Sequence, residues 1–395
     1  MSIKLFNESK LTTEEGKFLS MAPKPFKNVQ EQTTLLTMYE NTKRVMKNEA
    51  VSGDVAGYEA LLGQLLHRTV PNMVGTNLVG VQPMKQPVQF VSAMRVFYGD
   101  TPAGTETWNA NRPDVTQSGT ALGVGMATSI AEQLGTKVVD ATSLSTTAPV
   151  TESPAWGRMT VSTQKVNVEA KTRAMKATFS TEFLQDLKAL YGEDGESILA
   201  NILQGEISAE LDYELLNFVS TQAVVGTAIN ITTDTDGRWS AEKYLGLARL
   251  LDRNAYIIGQ QTRRGRATFI VTTPDVVGAL DMAGRIHNDY DFGVGEVNVT
   301  GLTYCGKLSG KYDIYIDPYA TPGTNFALLG YRGSDYDAGA FYCPYVPLTM
   351  YSATDPGTFQ PVIGFKTRYG IVHNPYASGV AGANPYFRRV SITNL

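Results

Sequence analysis

The sequence predicts an α+β fold, in which the longest strands and the longest helix occupy separate stretches of the chain. Alternation of polar and apolar residues predicts strands in VQFVSAMRVFYG, MTVSTQKVNVEAKTRAMKATFS, FKTRYGIVHN and YFRRVSITNL. Apolar residues at helical spacing in ESILANILQGEISAELDYELLNFVS predict a helix of about 25 residues, roughly 37 Å long. After Thr221, shorter helices and strands alternate.

The first part of the chain predicts an arm without its own core. Residues 1–45 are polar and lean basic, with short apolar islands such as TLLTMY, and indicate an extended or partly helical segment. Apolar spacing between Tyr58 and Leu66 predicts a helix that Pro71 closes. Strands follow in LVGVQP and in VQFVSAMRVFYG.

Residues 99–158 change character, because Gly, Pro, Thr and Asn replace the periodic apolar pattern. Only GMATSIAEQLG predicts a short helix there. About 60 residues of this kind are unusual inside a compact domain. We expect a long projecting hairpin or loop that leans on another molecule.

The long predicted helix has two distinct faces. Leu199, Leu203, Ile207, Leu211 and Leu215 form its apolar ridge. Glu206, Glu210 and Glu214 lie four residues apart on another face, where like charges repel mildly. We therefore expect basic groups to approach this carboxylate row, or water to solvate it.

The C-terminal half predicts further elements in order. WSAEKYLGLARLLDRNAYIIG predicts an amphipathic helix and ATFIVT a buried strand. Thr273 is then expected to cap a helix that starts at Pro274. In FKTRYGIVHN, one predicted face holds Phe365, Thr367, Tyr369 and Ile371, and the other holds Lys366, Arg368, Gly370 and Val372.

Charge and motif content exclude several functional classes. The net charge of −4, from 34 cations and 38 anions, argues against a general DNA-neutralising role. The sequence contains no phosphate-binding loop, nucleophile elbow or paired-histidine motif, and HNDYD lacks the spacing of a calcium loop. We expect no catalytic residues, metal or cofactor, and no apolar stretch is long enough to cross a membrane.

The chain has only two cysteines, Cys305 and Cys343, which is too few for a disulfide framework and indicates a reducing compartment.

Arg263, Arg264 and Arg266 form the densest basic cluster. They predict either a contact with phosphate or with a neighbour's carboxylates, or a solvated turn between a helix and a strand. The residues alone leave both alternatives open.

Seven segments, in the same order, closely resemble the major capsid proteins of T-even-type tailed bacteriophages. They are HRTVPNMVGTNLVGVQPM, GMATSIAEQLG, EAKTRAMKATFSTEFLQDLKALYG, TRRGRATFIVTTPDVV, LSGKYDIYIDPYA, LLGYRGSDYDAGAFYCPYVPLT, and DPGTFQPVIGFKTRYGIVHNPY with YFRRVSI. The resemblance extends from about residue 60 to the end of the sequence.

The resemblance implies the Hong Kong 97-like capsid fold and a division of the chain. The implied parts are an N-terminal arm (1–60), a first part of the peripheral domain (61–98), an extended loop (99–165), the peripheral domain with its spine helix (166–224), an axial domain (225–330) and C-terminal peripheral strands (331–395). Relatives often carry an additional domain in the extended loop, for which this chain has little room. Relatives are also commonly cleaved after a glutamate, and Glu49-Ala50 is a candidate, although Lys47-Asn48 fits an apolar-rich cleavage site poorly.

The same resemblance implies a structural protein and no enzymatic activity. Copies would form the hexameric and pentameric capsomers of an icosahedral head shell, assembled in the bacterial host cytoplasm, that encloses double-stranded DNA without reading its sequence. Implied partners are other copies and vertex, portal, scaffold and decoration proteins. The candidate inter-subunit contacts are Glu206, Glu210, Glu214, Arg263, Arg264 and Arg266. Two other hypotheses remain at this point: a tail or sheath component of a virion, and an α/β enzyme with an unrecognised site.

Overall fold

The structure is a computed structural model of the 395-residue chain. It describes residues 34–41, 75–99, 106–107, 128, 132, 137–138, 151–152, 158–183, 185–186, 195–235, 239–287, 303–321, 323–358, 360–377 and 379–395. The chain divides into two compact units. The first comprises 1–91, 166–259 and 265–395, and the second comprises 92–165 and 260–264.

Helices and strands occur in the following order. The strands are β1 Gly80–Val81, β2 Val88–Tyr98, β3 Lys137–Val138, β4 Thr151–Glu152, β5 Met159–Glu169, β6 Lys171–Thr178, β7 Ala223–Val225, β8 Ile229–Asn230, β9 Phe269–Thr272, β10 Ile286–His287, β11 Thr303–Leu308, β12 Tyr312–Ile316, β13 Asn325–Gly330, β14 Arg332–Ser334, β15 Asp337–Ala338, β16 Ala340–Thr354, β17 Pro361–His373 and β18 Asn384–Thr393. The helices are α1 Gly195–Gln222, α2 Ile231–Asp234, α3 Ser240–Thr262 and α4 Pro274–Met282, with a 3-10 turn at Gly75–Asn77. Residues 34–41 are also helical. This mixture confirms the predicted α+β class.

An eight-stranded mixed sheet forms the centre of the first unit. Its order is β10-β11-β12-β9-β13-β18-β7, with β8 also paired to β18. Every residue of β9 is buried, as expected for a strand covered on both faces. Because side chains alternate across a strand, Phe269 and Val271 join one apolar core, whereas Ile270 joins the other.

Helices cover both faces of this sheet. Residues of α1 share a core with Val271, Leu328 and Phe387 of the sheet. Residues of α3 and α4 share the opposite core with Ile270 and Leu329. Along the predicted ridge of α1, Ile207, Leu211 and Leu215 are buried and Leu203 is half-buried, which confirms the helical period.

A four-stranded sheet, in the order β1-β16-β17-β6, lies on the other side of α1. In β17 the predicted alternation holds for Phe365, Thr367 and Tyr369, which are buried, and for Lys366, which is exposed. It fails further along the strand, where Gly370 and Val372 of the opposite face are buried and Ile371 is half-buried, because both faces are covered there. The C-terminal strand β18 lies elsewhere. It pairs with β13 in the eight-stranded sheet, so the implied domain boundary at residue 330 does not coincide with a boundary between sheets.

The long strand predicted over MTVSTQKVNVEAKTRAMKATFS is wrong as a single element. The chain breaks at Ala170 into β5 and β6. The reason is that the two halves pair with different partners: β5 with β2 and β6 with β17. At the break, the Ala170 N–H donates to the Pro87 carbonyl at 2.9 Å.

The described part of the predicted arm docks on its own chain. In the helical segment 34–41, Leu35, Met38 and Tyr39 are buried. The Asn41 side chain donates to the carbonyls of Met84, at 2.6 Å, and Tyr345, at 3.0 Å. A helical arm segment was predicted, but its ordering by the same chain was not.

Other predictions lie outside the described residues: the helix at 58–66, most of the loop 99–158, and the Glu49-Ala50 bond. Of GMATSIAEQLG only Thr128 and Glu132 are described, and the Glu132 N–H donates to the Thr128 carbonyl at 2.9 Å, as in a helix. Thr273 does precede α4, with Pro274 first in the helix, but its side chain makes no capping hydrogen bond. Its hydroxyl donates instead to Asn325 Oδ1 at 2.9 Å, which ties α4 to β13.

Candidate functional site

The carboxylate row on α1 meets a cation of the same chain. Arg173 on β6 places Nη1 3.1 Å from Glu210 Oε2 and Nη2 2.9 Å from Glu214 Oε2. The sequence predicted that basic groups would approach this face but did not identify Arg173. Because one guanidinium bridges both carboxylates, it relieves the like-charge repulsion between them.

Tyr369 fixes the same network to β17. Its hydroxyl donates to Glu214 Oε2, and its ring packs against Tyr342 with centroids 5.5 Å apart. Burial, followed by the hydrogen bond to Glu214, raises the pKa of Tyr369 above its ordinary value. Tyr369 therefore remains a neutral donor, and Glu214 joins α1 to the four-stranded sheet.

Glu206 is the remaining member of the row. It is exposed, and within the described ranges it has no ion-pair partner. Of the three glutamates, it is the one whose charge is left available to another molecule.

A buried carboxylate beside the row was not recognised from the sequence. Asp212 is 4% exposed and accepts the Gly75 N–H at 2.8 Å. A Cβ on Gly75 would lie 2.7 Å from Asp212 Oδ1, so glycine permits this close approach. The contact spans 137 positions of sequence, and no local pattern signals it.

The predicted basic cluster follows α3. Arg263 has a positive φ of 54° and is exposed, as is Arg266. Arg266 Nη1 lies 3.4 Å from the Tyr256 hydroxyl, and its guanidinium carbon is 5.5 Å from the Tyr312 ring centroid. Arg266 thus has a structural cation–π role within its own chain.

In the second unit, the ribbon of β2 and β5 exposes apolar side chains. Met94, Met159 and Val161 are 65%, 60% and 56% exposed. One polar cluster of this unit is internally satisfied: Arg95 binds the buried Glu106 through contacts of 2.5 and 2.9 Å, and also donates to Gln164. An ordered ribbon with an exposed apolar stripe is typical of an interaction surface.

Among the residues that the structure describes, no group of three or more His, Cys, Asp or Glu side chains could hold a metal ion. Asp289 and Asp291 of the HNDYD segment lie outside the described ranges. Of the helices described, none combines the length and apolar character needed to span a membrane.

Comparisons with known proteins complete the description. The family model for the major capsid protein Gp23 matches residues 55–392. The major capsid protein of Salmonella phage ViI is 33% identical, with 98% of this chain and 99% of that protein aligned. The major capsid protein of Serratia phage KSP90 is 32% identical, with 90% of each aligned. Among solved structures, the capsid of Myoviridae phage XM1 matches with a TM-score of 0.43 at 10% identity, covering 80% of this chain and 88% of that chain.

Proposed function

The chain belongs to the family of the major capsid protein Gp23, and from that membership we propose that it builds the head shell of a tailed bacteriophage. It is a structural protein of the virion and not an enzyme. Its location is the capsid, and its main partner is itself, since a shell contains many copies. The observation that carries this conclusion is the family match, which spans nearly all of the described chain.

The finer proposal concerns how copies meet. We propose that the chain adopts the Hong Kong 97-like arrangement, with hexameric and pentameric capsomers that assemble in the host cytoplasm and enclose double-stranded DNA. Contacts around a ring are heterologous, so each copy must present two different complementary surfaces. Vertex, portal, scaffold and decoration proteins would be additional partners.

The exposed ribbon supports this proposal. A neighbouring copy that covers Met94, Met159 and Val161 removes their apolar surface from water. This burial stabilises the contact by about 25 cal/mol per Å² of apolar area. In the proposed shell the ribbon is the base of the extended loop, and an adjacent copy covers its stripe. The proposed inter-subunit contacts remain Glu206, Glu210, Glu214, Arg263, Arg264 and Arg266.

Electron microscopy of the expressed protein tests the proposed function. We expect negatively stained rings or closed shells, because a shell subunit has to bury several surfaces against its copies. Tubes would instead indicate a sheath protein. A small oligomer without rings at every concentration would indicate a soluble enzyme and overturn the proposal.

A further inference from the structure

The outer face of α1 combines one uncompensated carboxylate with exposed apolar side chains. Four exposed side chains at helical spacing form this face: Ile202, Glu206, Tyr213 and Asn217. At its margin, Arg173 compensates the carboxylates of Glu210 and Glu214. Glu206 has no ion-pair partner within the described ranges, so its charge is left for another molecule.

The outer face of α3 carries the opposite charge. Between residues 245 and 256 its exposed side chains are Leu245, Arg249, Arg253 and Tyr256. Neither arginine has a hydrogen-bond or ion-pair partner among the residues described. The neighbouring Asp252 instead accepts the Tyr312 hydroxyl and lies 3.8 Å from Lys311 Nζ. Two uncompensated guanidiniums one helical turn apart attract a carboxylate, which they can bind through charge-assisted hydrogen bonds.

The two outer faces cannot meet within one copy. Both helices belong to the first unit, but α1 packs on the face of the eight-stranded sheet that contains Val271, and α3 on the face that contains Ile270. The sheet therefore separates them. Only a second copy can bring an α1 face and an α3 face together, and a head-to-tail contact between identical copies requires two unlike surfaces on each.

The two faces also match in length and in the order of their side chains. The exposed side chains extend over about 22 Å of α1 and about 16 Å of α3. On α1, Ile202 and Tyr213 flank the carboxylate, and on α3, Leu245 and Tyr256 flank the two arginines. Tyrosine and arginine are enriched in the buried centres of protein interfaces.

We propose that the outer face of α1 in one copy docks on the outer face of α3 in a second copy. Glu206 pairs with Arg249 and Arg253, while the flanking apolar side chains cover one another. This inference rests on the proposed shell function, because it needs copies side by side. It assigns both surfaces of one contact between subunits.

A charge swap tests the pairing. Glu206→Lys should reduce particle yield at least about tenfold, and so should Arg249→Glu with Arg253→Glu, because like charges then face each other across the contact. The triple variant, which combines these three changes, restores opposite charges in every contact and should regain particles. Arg249→Lys with Arg253→Lys keeps both charges and is the matched control.

Melting curves of the unassembled variants separate misfolding from lost assembly. Normal particle yield from the folded double reversal would overturn the inference. A folded triple variant that regained no particles would overturn it as well.

Cross-linking between two preparations identifies the copies that touch. One preparation carries Glu206→Cys and the other Arg253→Cys, and both are mixed with an excess of wild-type copies before assembly and treated with a short bismaleimide. We expect a covalent link between positions 206 and 253 of different chains, identified by mass spectrometry of the digested particles. Shells that contain both variants but no such link would contradict the proposed docking.

The results distinguish two kinds of failure. Shells that form normally when the α3 charges are reversed would reject the contact between α1 and α3 and leave the shell function intact. If the wild-type protein formed no rings or shells, the shell function itself would fail.

Discussion

At the scale of single residues, Arg173 divides the carboxylate row into two parts with different roles. Glu210 and Glu214 are ion-paired to it within the chain, whereas Glu206 is exposed. Reversing all three charges together would mix a stability effect with an assembly effect. Single reversals separate the two effects.

Glu206→Lys should leave the melting temperature of the unassembled subunit unchanged and reduce particle yield. Glu214→Lys should instead lower stability by about 1–2 kcal/mol, because it repels Arg173 and removes the acceptor of the Tyr369 hydroxyl. Thermal melting and particle counts in micrographs check both variants. Normal particle yield from Glu206→Lys would reject Glu206 as an inter-subunit contact.

Gly75 permits a close approach of the 3-10 turn to α1. Gly75→Ala should destabilise the subunit by about 1–3 kcal/mol, since its Cβ would lie 2.7 Å from Asp212 Oδ1 and 2.9 Å from Leu215 Cδ1. Gly205→Ala, within α1 itself, is the control, because a Cβ there meets nothing within 4 Å. It should stabilise α1 by up to about 1 kcal/mol. Equal melting temperatures for the two variants would contradict the proposed packing.

Asp317 predicts a pH dependence of stability. It is 5% exposed, and its burial raises the carboxyl pKa, opposed by a hydrogen bond from the Tyr319 N–H. Because the carboxyl pKa is higher in the folded than in the unfolded protein, its effect on stability is favourable at pH values below the unfolded pKa. This contribution is lost as the pH rises through the folded pKa. Asp317→Asn should therefore gain stability relative to wild type as pH rises from below to above the ordinary titration range of an aspartate.

Asp355 supplies the control with the opposite sign. Its pKa is lowered mainly by a hydrogen bond from the Gly357 N–H and to a smaller extent by one from the Thr358 hydroxyl. The carboxylate therefore contributes stability above the unfolded pKa. Asp355→Asn should lose stability relative to wild type over the same rise in pH. Melting curves at several pH values measure both differences, and a flat or inverted difference for Asp317→Asn would contradict its burial.

At the scale of elements, patterns that repeat along the chain were predictable. The buried ridge of α1 and the alternation in β17 follow from periods of 3.6 and 2 residues, which the sequence displays directly. The break at Ala170 was not predictable in this way. Residues on both sides of it alternate, and only the choice of pairing partner separates β5 from β6.

The site residues were less predictable than the elements, because they come together only through tertiary packing. The spacing of Glu206, Glu210 and Glu214 identified the carboxylate row, but Arg173 lies 37 positions from Glu210 and reaches it only through tertiary packing. Asp212 likewise accepts the Gly75 N–H across 137 positions of sequence. Such long-range convergence has no local signal in a single sequence.

The β2–β5 ribbon gives the prediction at this scale. Val161→Asp should prevent particle formation without lowering the melting temperature of the unassembled subunit, because it buries a charge only when a neighbour covers the ribbon. Val161→Ile, which keeps the stripe apolar at the same position, is the matched control and should form shells. Sedimentation of both variants gives the particle fraction, and normal shells from Val161→Asp would show that this stripe stays open to solvent.

At the scale of the whole molecule, the chain combines a well-packed first unit with surfaces that are incomplete in a single copy. Helices cover both faces of the eight-stranded sheet, so the first unit needs no partner to bury its core. The apolar stripe of the ribbon is different, because its side chains are exposed in a single copy. We propose that assembly covers this stripe on a subunit that has already folded.

A cryo-electron microscopy reconstruction of the assembled protein, at a resolution that shows side chains, tests this account most directly. We expect a closed shell in which another copy covers Met94, Met159 and Val161. A closed shell in which water still surrounds these three side chains, or the absence of any closed assembly, would contradict the account.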